Sequence, residues 1–348
     1  MVLRGPSTLV GVPHIVQDAM RRASSEYAEV ERELRADTIE QLLAQELPTA
    51  FTLQQRIHRL WLQIDSVVNH TSALVYERQR LIERFTPMRA ASEARAGSIA
   101  AAPAQARYYS RLAAAPDIRT VCEVGYNVGH SAVVWLLASP TSRLVTFDLF
   151  SSALGLASLS FLEARFPGRI EAVRGDSRRE LPRAQLSAPC DLVHVDGRHE
   201  YRFVLHDVLN LRRLAAPHAL FLLDDQCNAS ACGQPTLYAA GPTLAACDLV
   251  AAGMLRPREL SYAGARQWAT YTAAPLQPDA PDAPPPRGLL PCTPRCTLTW
   301  RAASLQRAWE ARAVGLVERE QQQQSYQHNQ SCGRKSSGWS RARWDGAW

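Results

Sequence analysis

Between residues 117 and 274, short apolar runs alternate with longer stretches in which apolar residues recur every three or four positions. The runs at 119–124, 143–148, 169–174, 190–195 and 219–223 read as buried strands. Those at 130–138, 152–166, 200–214 and 242–253 read as helices, with a shorter helical turn at 177–183. Strands that alternate with helices predict an α/β fold, a doubly wound and mostly parallel sheet with helices on both faces. A last pair, 258–262 and 266–273, turns near Gly264 and reads as a hairpin. It brings the sheet to seven strands and makes the last one antiparallel.

The flanks carry other patterns. Residues 13–85 read as two helices broken near Pro48, the second with apolar residues at 53, 57, 60, 64, 67, 74, 81 and 85. That narrow seam suits packing on its own domain or on a sister subunit, so a homodimer through these helices is one expectation. Residues 86–116 are Ala-rich and lead into the core as a helix or linker. A proline-rich linker follows the hairpin from residue 275, and beyond it a tail holds Gln321–Gln324 and five of the eight tryptophans. Its composition predicts disorder around a short helix at 299–320. The expected organisation is a helical region at 1–104, a catalytic domain at 105–274, and a linker with a basic tail at 275–348.

Charge changes this picture little. The chain has a formal net charge of +6, and the residues from Arg287 onward, ten basic against four acidic, account for all of it. The body is therefore near neutral, and no nucleic-acid footprint is indicated. No run of eighteen apolar residues occurs, so no membrane span is expected. Of the eight cysteines, Cys122 and Cys190 fall in or beside buried strands and are expected to be free thiols behaving as small hydrophobes. Cys292 and Cys296 lack a second ligand pair for zinc. A reducing, cytoplasmic setting follows as the default, with an organellar address left open. Lys335 is the sole lysine, so no lysine in the body can act as a base.

The richest stretch for chemistry is Glu123-Val-Gly125-Tyr126-Asn127-Val-Gly129-His-Ser131. A buried strand here ends in a glycine turn and feeds a helix N-terminus, where backbone N–H groups face outward to cradle a nucleotide. The G-x-x-x-G spacing is not the G-x-G-x-x-G of dinucleotide enzymes, which weighs against an NAD-dependent enzyme. Ligands of open parallel sheets lie beyond the carboxyl ends of the strands. Each such end carries acid here: Glu123, Asp148, Asp176, Asp196 and the pair Asp224-Asp225. Asp148 is placed to accept both hydroxyls of a ribose, or else to cap the next helix. Asp176 with Ser177 either meets an adenine edge or caps the turn at 177–183.

With its acid two residues before the first glycine, the turn resembles the first motif of the class I, Rossmann-like S-adenosylmethionine (SAM) methyltransferases. The segment Asp191-Leu-Val-His-Val-Asp-Gly-Arg-His-Glu-Tyr201, followed by Leu220-Phe-Leu-Leu-Asp-Asp-Gln226, narrows the resemblance. It is similar to the branch that includes cephalosporin-biosynthetic and rhamnosyl-type O-methyltransferases, over about residues 105–274. The resemblance implies SAM held by Glu123, Gly125, Tyr126, Asn127, Gly129, Ser131, Asp148, Asp176, Ser177 and Asp196. It further implies Mg²⁺ on Asp196, Asp224 and Asp225, a set of hard oxygen donors that would repel one another without a cation. Asp224 and Asp225 as plain loop acids, with Asp196 on the cofactor amine, is the competing assignment.

His199 stands where catechol-type relatives place a lysine base, and its ordinary pKa near neutrality suits proton removal. A structural role in the loop is the alternative for it. His194 reads as a satisfied core histidine, and His130 as packing against the cofactor. The expected activity is methyl transfer to a small-molecule or sugar hydroxyl. A non-catalytic interaction protein, using the fold as a platform for its helical arm and tail, is the second hypothesis.

Overall fold

A computed structural model of the chain describes residues 38–45, 51–79, 98–226, 237–263 and 266–273, and the single positions 21 and 28. Most of the helix predicted before Pro48, residues 227–236, the proline linker and the tail with Cys292 and Cys296 lie outside the described residues. In chain order the elements are α1 (Glu40–Leu43), α2 (Leu53–Gln79), α3 (Pro103–Ala113), β1 (Thr120–Val124), α4 (His130–Ala138), β2 (Arg143–Asp148) and α5 (Ala153–Arg165). There follow β3 (Ile170–Arg174), α6 (Ser177–Arg183), β4 (Cys190–Val195), α7 (Tyr201–Leu214), β5 (Ala215–Leu223), α8 (Leu237–Ala251), β6 (Leu255–Ala263) and β7 (Arg266–Ala273).

The seven strands form one sheet in the order β3-β2-β1-β4-β5-β7-β6. Strands β1 to β5 run parallel, and β7 inserts antiparallel between β5 and β6. The predicted hairpin is therefore present, with its second strand nearer the centre. The chain reverses its direction of winding between β1 and β4, and a parallel sheet opens a crevice at such a point.

Alternation along the strands feeds two cores. Val121, Leu144 and Leu192 join one apolar cluster, while Cys122, Val145 and Val193 join another on the opposite face. The first is covered by α2 to α5, the second by α6 to α8. The seam of α2 is used within the chain: Ile57, Leu60, Ile64 and Val67 are fully buried against α4 and α5. Pro103 opens α3, and a 3-10 turn at Ile99–Ala101, capped by the Ser98 hydroxyl, leads into it. Within the Ala-rich stretch, the described residues from Ser98 to Ala113 thus form turn plus helix.

The cysteines depart from expectation. Cys122 and Cys190, read from the sequence as free thiols, are joined in a disulfide that ties β1 to β4 with 5.7 Å between their Cα atoms. Register shifts between Cys190 and Leu192, and both cysteines belong to the same core cluster. Nothing in apolar spacing distinguishes a bridged pair from two buried thiols. Cys247 is disulfide-bonded as well.

Two stability measurements follow. Ile64→Ala leaves a cavity between α2 and the body and is expected to cost about 2–5 kcal/mol in denaturant unfolding; an unchanged midpoint would mean that α2 is not part of the cooperative unit. Asp207 on α7 is buried and accepts a hydrogen bond from the Ser177 hydroxyl at the start of α6 (2.7 Å). Burial, aided by the Asp176 charge, pushes its pKa up to about 7. Folding then favours the protonated acid, so its stabilising effect is full below the unfolded pKa near 4 and is lost as pH rises through 7. Relative to Asp207→Asn, the native protein should lose as much as about 4 kcal/mol between about pH 4 and pH 7. Parallel pH profiles for the two proteins would contradict this.

Candidate active site

The carboxyl ends of β1 to β5 border a cleft of about 540 Å³. Five positions with positive φ bend the chain around its rim: Gly125 (99°), Asn127 (52°), Phe150 (45°), Gly175 (153°) and Asp225 (51°). Positive φ is uncommon outside glycine, and three of these five carry side chains. Gly125 is constrained twice, since a Cβ there would lie 2.1 Å from the Asp196 carbonyl oxygen. The turn after β1 and the loop after β4 are in backbone contact through it.

On the β1–β3 side, Asp148 is held by the turn it faces. Its carboxylate accepts from the backbone N–H of Tyr126 (2.8 Å), Asn127 (3.1 Å) and Phe150 (2.8 Å). Burial nonetheless outweighs these bonds and raises its pKa. Asp176 caps α6 by accepting from the Arg178 N–H (3.0 Å) and also pairs with the Arg178 guanidinium. The cap predicted as an alternative is therefore real, and Asp176 still borders the cleft, as does Ser177. Tyr126, Gly129, His130 and Ser131 pack at the same end; His130 and Ser131 line the cleft, and the His130 ring also pairs with Asp65 of α2 at 3.3 Å.

Glu123 behaves differently from the turn it precedes. It is fully buried and does not line the cleft. The Trp135 indole N–H donates to one carboxylate oxygen (2.9 Å), and His194 Nδ1 lies 3.1 Å from the same atom. Glu123 and His194 are register partners on β1 and β4, which places them side by side beneath the floor. Sequence reading put Glu123 on the cofactor; in this structure it supports His194 from behind. His194 in turn is not the fully satisfied core histidine expected, because its Nε2 is buried with no hydrogen-bond partner.

On the β4–β5 side the acids converge. A His194 ring nitrogen and carboxylate oxygens of Asp196 and Asp224 lie within 4.8 Å of one another, as do ligand atoms of Asp196, His199 and Asp225. His199 Nε2 is 3.2 Å from Asp225 and 3.6 Å from Asp196. Burial raises the pKa of all three acids; Asp224 adds to that of Asp196, Asp225 to that of Asp224, and Asp196 to that of Asp225, which is pushed up to about 6. Burial pulls His199 down, but the surrounding carboxylates prevail and raise it. So dense a group of acids, with an unpartnered imidazole nitrogen beside it, fits a divalent cation.

Three supporting side chains carry no sequence motif. Gln105 on α3 is buried and donates through Nε2 to both oxygens of Asp224 (2.8 Å each) and to the Tyr109 hydroxyl (3.0 Å). Arg266 at the start of β7 lines the cleft and reaches Gln105 Oε1 at 3.4 Å. Gly241 on α8 lies so close to the His199 loop that a Cβ would fall 2.0 Å from the His199 carbonyl oxygen.

The family described as "Methyltransferase domain" matches residues 122–226, which run from β1 through the acid pair after β5. Among solved structures, cofactor-bound Rv0187 from MTB is similar at 22% identity, covering 49% of this chain and 79% of that one, with a TM-score of 0.39. The O-methyltransferase TomG from Streptomyces achromogenes, solved with SAM, is 17% identical over 64% of this chain and 100% of its own (TM-score 0.42). An O-methyltransferase from Bacillus cereus, solved with SAH, is 13% identical over 59% and 90% of the two chains (TM-score 0.40). No curated protein matches the chain. The family match spans the segment that carries the cleft, from the glycine turn to Asp225, so residues 122–226 are similar to a methyltransferase domain.

Proposed function

We propose that the protein transfers the methyl group of SAM to a hydroxyl oxygen of a small-molecule or sugar acceptor, with a divalent cation in the acceptor half of the cleft. The observation that carries this reading is the division of one cleft into two chemistries. One half has the glycine turn, the start of α4 and Asp148; the other has Asp196, Asp224 and Asp225 gathered around His199.

SAM lies along the first half in this reading. The glycine turn approaches its amino-acid portion, Asp148 accepts the ribose hydroxyls, and Asp176 with Ser177 faces the adenine. Methyl transfer is an in-line displacement, so the chain's main task is to hold the acceptor oxygen against the sulfonium methyl. The acceptor's proton passes to His199, whose imidazolium is stabilised by Asp225 and Asp196. Asp196, Asp224 and Asp225 would hold the cation, which when bound lowers the pKa of a hydroxyl and orients adjacent oxygens. Gln105 fixes the Asp224 carboxylate. Burial of Asp224 and partial burial of Asp196, His199 and Asp225 strengthen these electrostatic contacts.

Calorimetric titration with SAM tests the cofactor half. Asp148→Ala removes charged acceptors and should weaken binding by about 2–3 kcal/mol, roughly 30- to 150-fold; unchanged affinity would remove Asp148 from the cofactor site. The acceptor half is tested by label transfer from methyl-labelled SAM onto a panel of phenolic and sugar hydroxyls. There His199→Gln should lower transfer by about 10²- to 10⁴-fold while leaving SAM affinity intact. Equal transfer by the variant would exclude His199 as the base.

A further inference from the structure

We infer that His194 is a nitrogen ligand of the cation in this cleft, held in place by Glu123, and that the resident ion is a first-row transition-metal dication in preference to Mg²⁺. This deepens the proposed function and rests on its cation.

The argument starts from burial. His194 sits one residue before the carboxyl end of β4 with no exposed surface, walled by the Tyr109 ring at 5.3 Å and the Trp135 ring at 5.2 Å between centroids. Its Nδ1 is engaged by Glu123 at 3.1 Å, and Glu123 is itself fixed by the Trp135 indole. A carboxylate behind Nδ1 sets the tautomer with the proton on that nitrogen, leaving the lone pair on Nε2. Nε2 is enclosed and makes no hydrogen bond among the described residues. Unpaired polar atoms at this depth are costly and rare, so the atom calls for a partner that the side chains around it do not supply.

Distance identifies the class of partner. A His194 nitrogen lies within 4.8 Å of carboxylate oxygens of Asp196 and Asp224, yet none accepts a hydrogen bond from Nε2. Two metal–ligand bonds of about 2.0–2.2 Å each, meeting at one ion, fit within that bound. The alternative, a buried imidazolium neutralising the acids, would leave an Nε2–H donor with no acceptor in reach. Carboxylate behind, imidazole between and metal in front is a recurrent arrangement at metal centres, because the rear carboxylate orients the ring and increases its basicity.

Donor chemistry then ranks the ions. Mg²⁺ takes oxygen ligands and binds imidazole poorly, whereas Mn²⁺, Fe²⁺, Co²⁺ and Zn²⁺ accept mixed nitrogen and oxygen sets. A site of His194, Asp196 and Asp224 is such a set.

The test uses the full chain stripped with EDTA and titrated with MnCl₂ alone, read by calorimetry and by electron spin-echo modulation of the bound Mn²⁺. The deciding sample is His199→Gln, which removes the other histidine near the ion. Persistent ¹⁴N coupling in that variant, together with Mn²⁺ affinity falling about 10- to 100-fold in Glu123→Gln, is the expected result. Mg²⁺ should compete only weakly. If Mn²⁺ binds and Asp196→Asn abolishes binding, but His199→Gln has no ¹⁴N coupling, His194 is not a ligand and the proposal falls while the cation survives. If wild-type protein binds neither Mn²⁺ nor Mg²⁺ in calorimetry, the cation and the proposal fall together. Because the decision is made in wild type and His199→Gln, it does not require a His194 variant to fold.

Discussion

The carbonyl oxygen of Asp196 occupies the space that a side chain on residue 125 would need. Everything else about the cleft depends on that contact. It brings the turn after β1 against the loop after β4 at the place where the chain reverses its winding. Two loops that belong to different halves of the sheet therefore share one floor. The glycine turn comes from the first half and the acid cluster from the second, so the two adjoin in one cleft. Only a residue without Cβ, able to adopt φ near 99°, allows this closeness.

Beneath that floor a row of polar residues crosses the buried sheet among apolar neighbours. Thr146, Glu123 and His194 are register neighbours on β2, β1 and β4. A buried carboxylate is expensive unless its oxygens are satisfied, and Glu123 has the Trp135 indole and the His194 ring to do this. Trp135 also stacks on Tyr109 with centroids 5.1 Å apart, and the Tyr109 hydroxyl meets Gln105, which grips Asp224. The chain of contacts passes from β1 through α4 and α3 to the end of β5. The orientation of the acids is thus built into the core rather than left to the loops that bear them.

Periodicity carried most of this architecture. Parallel strands buried on both faces are continuous apolar runs, and those runs were visible with nearly correct ends. The acids at strand ends were legible for the same reason: once a strand is placed, the residue after it has few places to go. What was illegible depends on contacts between segments far apart in the chain. Gln105 carries no motif, and its role appears only when α3 packs over β5. The bridge between Cys122 and Cys190 joins positions 68 residues apart, which meet only once β1 pairs with β4. Glu123 and His194 were each read alone, one as a cofactor ligand and one as a core residue, because nothing in either motif reveals that parallel pairing sets them side by side. Asp191, although it opens the most telling motif, accepts from the Arg119 and Thr120 N–H groups (2.9 Å each) and so anchors β4 to β1.

The helical arm belongs in the same account. Its seam was expected to pack either on its own domain or on a second subunit, and it buries Ile57, Leu60 and Ile64 within the chain. The arm also makes two polar contacts at one point on α4: the Trp61 indole donates to the His130 carbonyl (2.8 Å), and Asp65 pairs with the His130 ring. His130 is the first residue of α4, directly after Gly129, so these contacts grip the helix at the end where its free N–H groups face the cleft. A helix N-terminus serves as an anion or nucleotide site only if its position against the preceding strand is fixed. The strand is fixed by the sheet; the helix start is fixed from outside, by α2. The arm is therefore a structural part of the wall of the cleft at the glycine turn, reached through a helix rather than through the sheet.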